Sequence, residues 1–359
     1  MNELRITLDH AAADGFTLAV DCTLPGDGVT ALYGPSGSGK TTLLDCVAGL
    51  KPVTGATIAL GDLAWQAQGA AVPAWQRGIG YVFQDARLFP HLSVKDNLLY
   101  GAARQPKPGP VHFDEAVAWL ELTNLLAREP DTLSAGQRQR VAIGRALLAA
   151  QNLMLLDEPL ANLDFEATRQ CLRGLKSVAA EHRLPMLYVS HDIEEVSQLA
   201  DHIALLNDGR LTRQGSLIDM CSRIDSRLAH EEQAAAIVSA TVARHDIAYG
   251  LSELSVAGQT LWVNQLGEPI GSGRRVRIPA RDVSLCRTKP VDSSILNVFR
   301  VTIAEIEDTG HARLLLRLAL GEQFLLARIT RKSATELRFA VGDTVFAQVK
   351  SAALLMEAQ

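Results

Sequence analysis

The chain has 359 residues, 47% of them hydrophobic and 21% charged, a composition that excludes a disordered or fibrous protein and leaves room for two globular domains. Its formal net charge of -5 argues against a general nucleic-acid binder, since phosphate-backbone binding normally leaves a basic excess or stripe. Cys22, Cys46, Cys171, Cys221 and Cys286 lie far apart with no C-x-x-C pair, so reduced packing thiols in a cytosolic setting are expected rather than a disulfide or zinc framework.

Residues 3 to 24 alternate loosely (Leu4, Ile6, Leu8, then Phe16, Leu18, Val20) around a turn at 11–15, which predicts an antiparallel hairpin. Phe16 is read as a packing residue in preference to a stacking face for an adenine ring. The apolar run Val29 to Tyr33 predicts a buried strand, and a helix is expected from about Gly39 through Ala48. Between them stands Gly34, Pro35, Ser36, Gly37, Ser38, Gly39, Lys40, Thr41, the pattern G-x-x-x-x-G-K-[ST] of a phosphate-binding loop. Backbone N–H groups must wrap closely round phosphate oxygens there, so side chains at Gly34, Gly37 or Gly39 are expected to obstruct the wrapping. The helix start, with Thr42 in its first turn, adds unpaired donors and a positive dipole end. Lys40 supplies a point charge for the outer phosphates, and the Thr41 hydroxyl suits Mg2+.

Strands are predicted at 57–60 and 79–83, the second leading to Gln84, a polar residue placed to reach the metal or the attacking water. A helix opened by Ser93 follows, and the region from about 91 to 150 reads as a helical insert broken at the proline-bearing segment 105–110. Val141 to Leu156 is the longest apolar region and is interrupted by Arg145, Gln151 and Asn152; no membrane span or secretion signal is expected. Ser134 is placed to cap the helix that begins there, and Gly136, followed by Gln137, to let a phosphate approach its end. The apolar run Asn152 to Leu156 ends in Asp157 and Glu158. Asp157 is positioned to hold Mg2+ beside Thr41, and Glu158 to orient or deprotonate water. After Leu160 to Asp164 come a helix, the strand 186–189 and His191, which stands where a γ-phosphate would lie; the domain closes near Gly215.

GPSGSGKT, Gln84, LSAGQ, LLDEP, LANLD and SHD in this order resemble the ATP-binding subunit of ATP-binding-cassette transporters over residues 1 to about 220. The resemblance implies an α/β P-loop ATPase cassette that binds ATP and Mg2+ and works as a head-to-tail dimer. Lys40, Thr41, Asp157, Glu158, Gln84 and His191 of one copy would face Ser134, Gly136 and Gln137 of the other, with Asp164 at the seam. Ala135 departs from the family's usual glycine, with little effect expected where φ is negative. The segment Arg87 to His91 lies where importer ATPases receive their membrane subunit.

A helical connector is expected over 221–235, and from 236 onward short alternating runs predict a small all-β, OB-like barrel. SSILN, ARITRKSA and QVKSAAL resemble the molybdate-binding oligomer module of molybdate-importer ATPases, over about 291–355, and RIPAR (277–281) and VFQDARLFPH also resemble that subfamily. Thr330, Ser333, Lys350 and Ser351 supply hydroxyl and cationic donors of the kind a tetrahedral dianion needs. The resemblance implies an ATPase on the cytoplasmic face of the membrane that drives molybdate import through permease subunits fed by a periplasmic oxyanion-binding protein, with oxyanion feedback through the carboxyl-terminal module. The same role for sulfate, tungstate or another anion, and a non-transport cassette ATPase, remain as alternatives.

Overall fold

A computed structural model describes residues 3–11, 15–67, 69–105, 107–350 and 355–356. The chain divides into two compact units, Met1–Gly215 and Ser216–Gln359. In the first, the strands are β1 (Glu3–Ala11), β2 (Thr17–Pro25), β3 (Val29–Tyr33), β4 (Thr57–Leu60), β5 (Leu63–Ala67), β6 (Ala70–Ala71), β7 (Ile79–Val82), β8 (Leu153–Asp157), β9 (Met186–Val189), β10 (His202–Asn207) and β11 (Arg210–Ser216). They form one eleven-stranded sheet in the order β6-β5-β4-β1-β2-β11-β10-β3-β9-β8-β7.

The two halves of this sheet follow two sequence patterns. From β10 through β3, β9 and β8 to β7 the pairing is parallel. Every residue of β3, β8 and β9 is buried, so these strands read as unbroken apolar runs, as strands covered on both faces must. By contrast β1 and β2 pair antiparallel, with Leu4 opposite Leu24, Ile6 opposite Cys22 and Leu8 opposite Val20, and bury alternate residues. The hairpin over β5 and β6 and the strand β11 have no counterpart among the expected strands. In β11 (RLTRQGS) no residue is fully buried, so the apolar period that announces a strand is missing.

The helices of this unit are α1 (Lys40–Ala48), α2 (Val94–Ala102), α3 (Phe113–Trp119), α4 (Ala135–Ala149), α5 (Phe165–His182) and α6 (Ile193–Leu199). Ser93 caps α2 by accepting a hydrogen bond from Asp96 N at 3.1 Å. The helices α2 and α4 approach closely at Gly144, where a Cβ would stand 2.6 Å from Leu98 Cδ2. Parallel register brings the carboxyl ends of β3, β9, β8 and β7 to one edge of the sheet, with Leu32 and Asp157 both opposite Val189 and Val82 opposite Leu156. That edge is where an open α/β sheet binds its ligands.

The second unit opens with α7 (Leu217–Ser222) and α8 (Arg227–His230), whose apolar residues Leu217, Met220, Cys221 and Leu228 are buried. It then forms β12 (Ala235–Asp246), β13 (Leu251–Val256), β14 (Gln259–Asn264), β15 (Gly273–Pro279), β16 (Val283–Cys286), β17 (Asn297–Gly310), β18 (Arg313–Leu320), β19 (Gln323–Thr330), α9 (Arg331–Glu336), β20 (Thr344–Val349) and β21 (Leu355–Met356). These strands make two five-stranded sheets, β14-β13-β12-β15-β21 and β16-β20-β17-β18-β19. One apolar cluster, containing Val238, Leu254 and Val276 with Phe299, Leu316 and Val345, joins them. The all-β expectation holds, with two sheets on a shared core. Of the SSILN segment, 293–297, only Asn297 enters a strand. The cysteines are unpaired, and among the described residues no helix is long and apolar enough to cross a membrane.

Candidate active site

The loop after β3 turns back on its own helix. Lys40 Nζ donates to the carbonyl oxygens of Gly34 at 2.8 Å and Pro35 at 2.9 Å, and Ser38 N donates to Pro35 O at 3.2 Å. The three loop glycines are needed for three separate reasons, which revises the expectation that each simply clears room for phosphate. A Cβ on Gly34 would collide with the carbonyl of Leu206 in β10. At Gly37 there is open space, but φ is 79°, a left-handed backbone that other residues adopt at a cost. Gly39 combines a φ of 102° with the Phe16 ring, whose Cζ would be 2.8 Å from an added Cβ. Phe16 therefore packs on the loop and against the core of the sheet. The turn after β10 also braces the loop, with Gly209 N donating to Ser38 O at 3.0 Å. Nothing local in the sequence links Leu206 or Gly209 to the site.

A cavity of about 480 Å³ opens at the strand edge. It brings Ser36, Gly37, Gly39, Lys40, Thr41 and Thr42 of the loop and α1 together with Gln84 after β7, Asp157 at the end of β8 and Glu158, with Phe16 and Val189 also on its wall. Lys40 is buried, and burial lowers its pKa while Glu158 and Asp157 oppose that shift. Asp157 is 3% exposed. Burial pushes its carboxyl above the usual range, Glu158 and Asp45 add to this, and a hydrogen bond from Thr41 and the charge of Lys40 oppose it. The Ser38 hydroxyl is buried and has no hydrogen-bond partner among the described residues.

Glu158 sits at a φ of 46°, a strained position for a side-chain-bearing residue and of the kind that collects at functional sites. Its N–H donates to Val189 O at 3.0 Å, which ties the residue after the strand end back to β9. Glu158 Oε1 lies 3.3 Å from Nδ1 of His191, whose side chain is 70% exposed. The oxygen donors of Thr41, Asp157 and Gln84 are what a hard divalent cation accepts, and a buried carboxylate with a raised pKa gains from a cation beside it, so the residues fit Mg2+.

Ser134, Gly136 and Gln137 do not line this cavity in a single chain. Ser134 and Gln137 form a capping box on α4, with Gln137 N donating to Ser134 Oγ at 3.2 Å and Ser134 N to Gln137 Oε1 at 3.0 Å. Gly136 faces the loop before α5, where an added Cβ would stand 3.1 Å from Asn162 O. Asp164 caps α5 by accepting from Ala167 N at 2.9 Å and is otherwise exposed.

In the second unit the oxyanion candidates do not converge. The Thr330 hydroxyl accepts from Ser333 N at 3.1 Å and meets Ser333 Oγ at 2.8 Å, capping α9. Register puts Thr330 opposite Arg313, which pairs with Gly310 at the end of β17, whereas Lys350 follows Val349, which pairs with Asn297 at its start. They stand at opposite ends of a 14-residue strand, so one chain cannot close both groups on a single ion. Ser351 lies outside the described residues.

Comparison with known proteins accords with this geometry. Residues 18–161 match the ABC transporter family and residues 293–356 the TOBE domain. The chain is 45% identical to a "Molybdenum import ATP-binding protein ModC" of Methylococcus capsulatus over 96% of this chain and 98% of that one. It is 46% identical to "Molybdenum import ATP-binding protein ModC 1" of Azotobacter vinelandii over 98% of each. A solved dimeric ATP-binding cassette in a post-hydrolysis state, bound to ADP and Pi, superposes with a TM-score of 0.52 at 26% identity, over 60% of this chain and 99% of that one. The chain therefore belongs to the ABC transporter family of ATPases, with a carboxyl-terminal TOBE domain.

Proposed function

We propose that this chain hydrolyses ATP to energise molybdate uptake, as the nucleotide-binding subunit of an importer on the cytoplasmic face of the membrane. The observation that carries the catalytic half is the meeting of Lys40, Thr41, Asp157 and Glu158 in one cavity at the carboxyl ends of parallel strands. The cargo reading rests on near full-length relatives named for molybdenum import.

In this reading the loop N–H groups and the start of α1 hold the phosphates of ATP, and Lys40 exchanges its loop carbonyls for phosphate oxygens. Thr41, Asp157 and Gln84 would hold Mg2+, which when bound neutralises charge on the transferring phosphoryl group. Glu158 takes a proton from the attacking water, and His191 holds the phosphate end against it. Ser134, Gly136 and Gln137 complete the site from a second copy, with Asp164 at the seam between the two. The segment Arg87 to His91 receives the permease. Asn97 bonds this segment in both directions at Phe89, and Arg145 donates to the carbonyls of Ala86 and Arg87, so movement there is tied to α2 and α4. A periplasmic oxyanion-binding protein would act on the permease and reach this chain only through it.

Uptake of molybdate and of sulfate, measured in cells lacking this chain, tests the cargo. Loss of molybdate uptake alone is expected; loss of sulfate uptake alone assigns the other anion, and loss of neither removes the transport role. Oxyanion feedback through the TOBE domain predicts saturable molybdate binding by the full chain in the absence of nucleotide, and no saturation in such a titration removes that part. Because Thr330 with Ser333 and Lys350 stand at opposite ends of β17, any ion held by both groups would lie between two copies.

A further inference from the structure

We infer that Glu195 is a positioning residue for ATP hydrolysis, holding the end of β9 so that His191 faces Glu158. This rests on the nucleotide-site reading above. The chain leaves the sheet at Val189, and Ser190, His191 and Asp192 have no strand ladder to fix them before α6 begins. Glu195, inside α6, reaches back under this stretch. Its Oε2 accepts hydrogen bonds from the wholly buried Tyr188 hydroxyl at 2.6 Å and from Ser190 Oγ at 2.8 Å. Ser190 Oγ in turn accepts from Asp192 N at 3.0 Å, and Asp192 Oδ1 accepts from Glu194 N at 2.7 Å.

The residues before and after His191 are thus both fastened, through hydroxyl and backbone, to one carboxylate oxygen. His191 itself is mostly exposed, and its Nδ1 lies 3.3 Å from Glu158. Placing a carboxylate here carries a cost. Burial raises the Glu195 carboxyl above its usual range, and the hydroxyls of Tyr188 and Ser190 work against that shift. Its two donors stand at the strand end, and the histidine follows them directly. Glu195, Glu158 and His191 also border one cavity of about 350 Å³, so the network adjoins the reacting groups.

The test is a double-mutant cycle on the full chain, read as kcat and ATP affinity. Glu195→Ala should lower kcat about tenfold, equivalent to ~1.4 kcal/mol, and leave ATP affinity within about twofold of wild type. Glu195→Gln keeps an acceptor oxygen for both hydroxyls and should stay within about threefold of wild type. In a His191→Ala background, Glu195→Ala should change the residual turnover by less than about twofold, since a group acting through His191 has nothing left to position. Should Glu195→Ala not fold, Tyr188→Phe, which removes one donor and leaves Ser190 in place, should show the same dependence on His191. Equal losses in the two backgrounds, or a Glu195→Gln chain as impaired as Glu195→Ala, overturn this inference and leave the nucleotide-site reading standing. A wild-type chain without ATPase activity overturns both.

Discussion

Arg77 is 1% exposed, and no motif marks it. It follows a single 3-10 turn at 74–76 and drives its guanidinium beneath the carboxyl end of α1, the helix that carries the phosphate loop. Nη1 donates to Val47 O at 2.6 Å and more distantly to Cys46 O at 3.4 Å, and Nε donates to Val72 O at 2.9 Å. The last carbonyls of a helix lack intrahelical partners and form its negative end, so a buried cation there satisfies both needs. Gly49 ends the helix at a φ of 77°, and a Cβ on it would stand 2.6 Å from Arg77 Cζ. Arg77→Met keeps apolar bulk and removes the donors. Two good bonds from a charged donor are worth ~1.5–3 kcal/mol each. Relief of the buried guanidinium's desolvation offsets part of that, leaving a net loss of about 3 kcal/mol. For a unit of this size the melting temperature should fall by roughly 6–12 °C. Thermal unfolding followed by circular dichroism measures it, and a shift under about 2 °C would refute the reasoning. The cycle with Gly49→Ala adds a check. The steric part of that substitution should vanish in the Arg77→Met background while the strain of the left-handed backbone remains, so the double mutant should be more stable than the sum of the single losses predicts.

Two further outcomes bear on the active site. Glu158→Gln should bind ATP while hydrolysing it about 10²–10⁴-fold more slowly, the range for loss of a general base; wild-type turnover would exclude that role. Asp157→Asn tests what the site costs the fold. Because burial holds the native carboxyl above its unfolded value, the native state binds a proton across that interval that the unfolded chain has released, and stability falls as pH rises through it. At pH 7 the nucleotide-free Asn variant should therefore melt higher than wild type while binding Mg-ATP less well, and a lower melting temperature would contradict the sign.

What could be read from the sequence followed the range of the interactions. Asp157 and Glu158 stand out because a buried parallel strand is an unbroken apolar run, and the polar residues that follow it must lie at the sheet edge; Lys40 stands out through the spacing of the glycine-rich loop. The positions of Arg77, Asn97 and Glu195 could not be read this way. Arg77 binds carbonyls about thirty residues away in α1, Asn97 serves the loop before its own helix, and the acceptor role of Glu195 appears only when Tyr188 and Ser190 flank it in space. Gly34 stands out through the loop pattern, but the steric reason for a glycine there is a carbonyl of β10, remote in the chain. The polar strand β11 and the separation of Thr330 from Lys350 are likewise products of sheet register, and local pattern does not encode register between distant strands.

The same register leaves the nucleotide cavity lined by one half of the groups the reaction is proposed to use, with the capping box of α4 on another surface of the same chain. If the missing half comes from a second copy, two inactive chains should repair each other. Lys40→Ala spoils the loop but keeps the α4 terminus, and Ser134→Arg spoils the terminus but keeps the loop. Each alone should be nearly inactive. Mixed in equal amounts, half of the dimers pair one of each, and every mixed dimer holds one intact composite site, so about one quarter of wild-type ATPase activity should return. Replacing Ser134 removes a helix cap, a loss of ~1 kcal/mol that the fold should survive. Full activity in Ser134→Arg by itself would mean that a single chain completes its own site. A mixture no more active than its separate components would mean that Ser134 and Lys40 do not meet across a dimer. Recovery near one quarter requires both that the site is shared and that Ser134 belongs to the shared half.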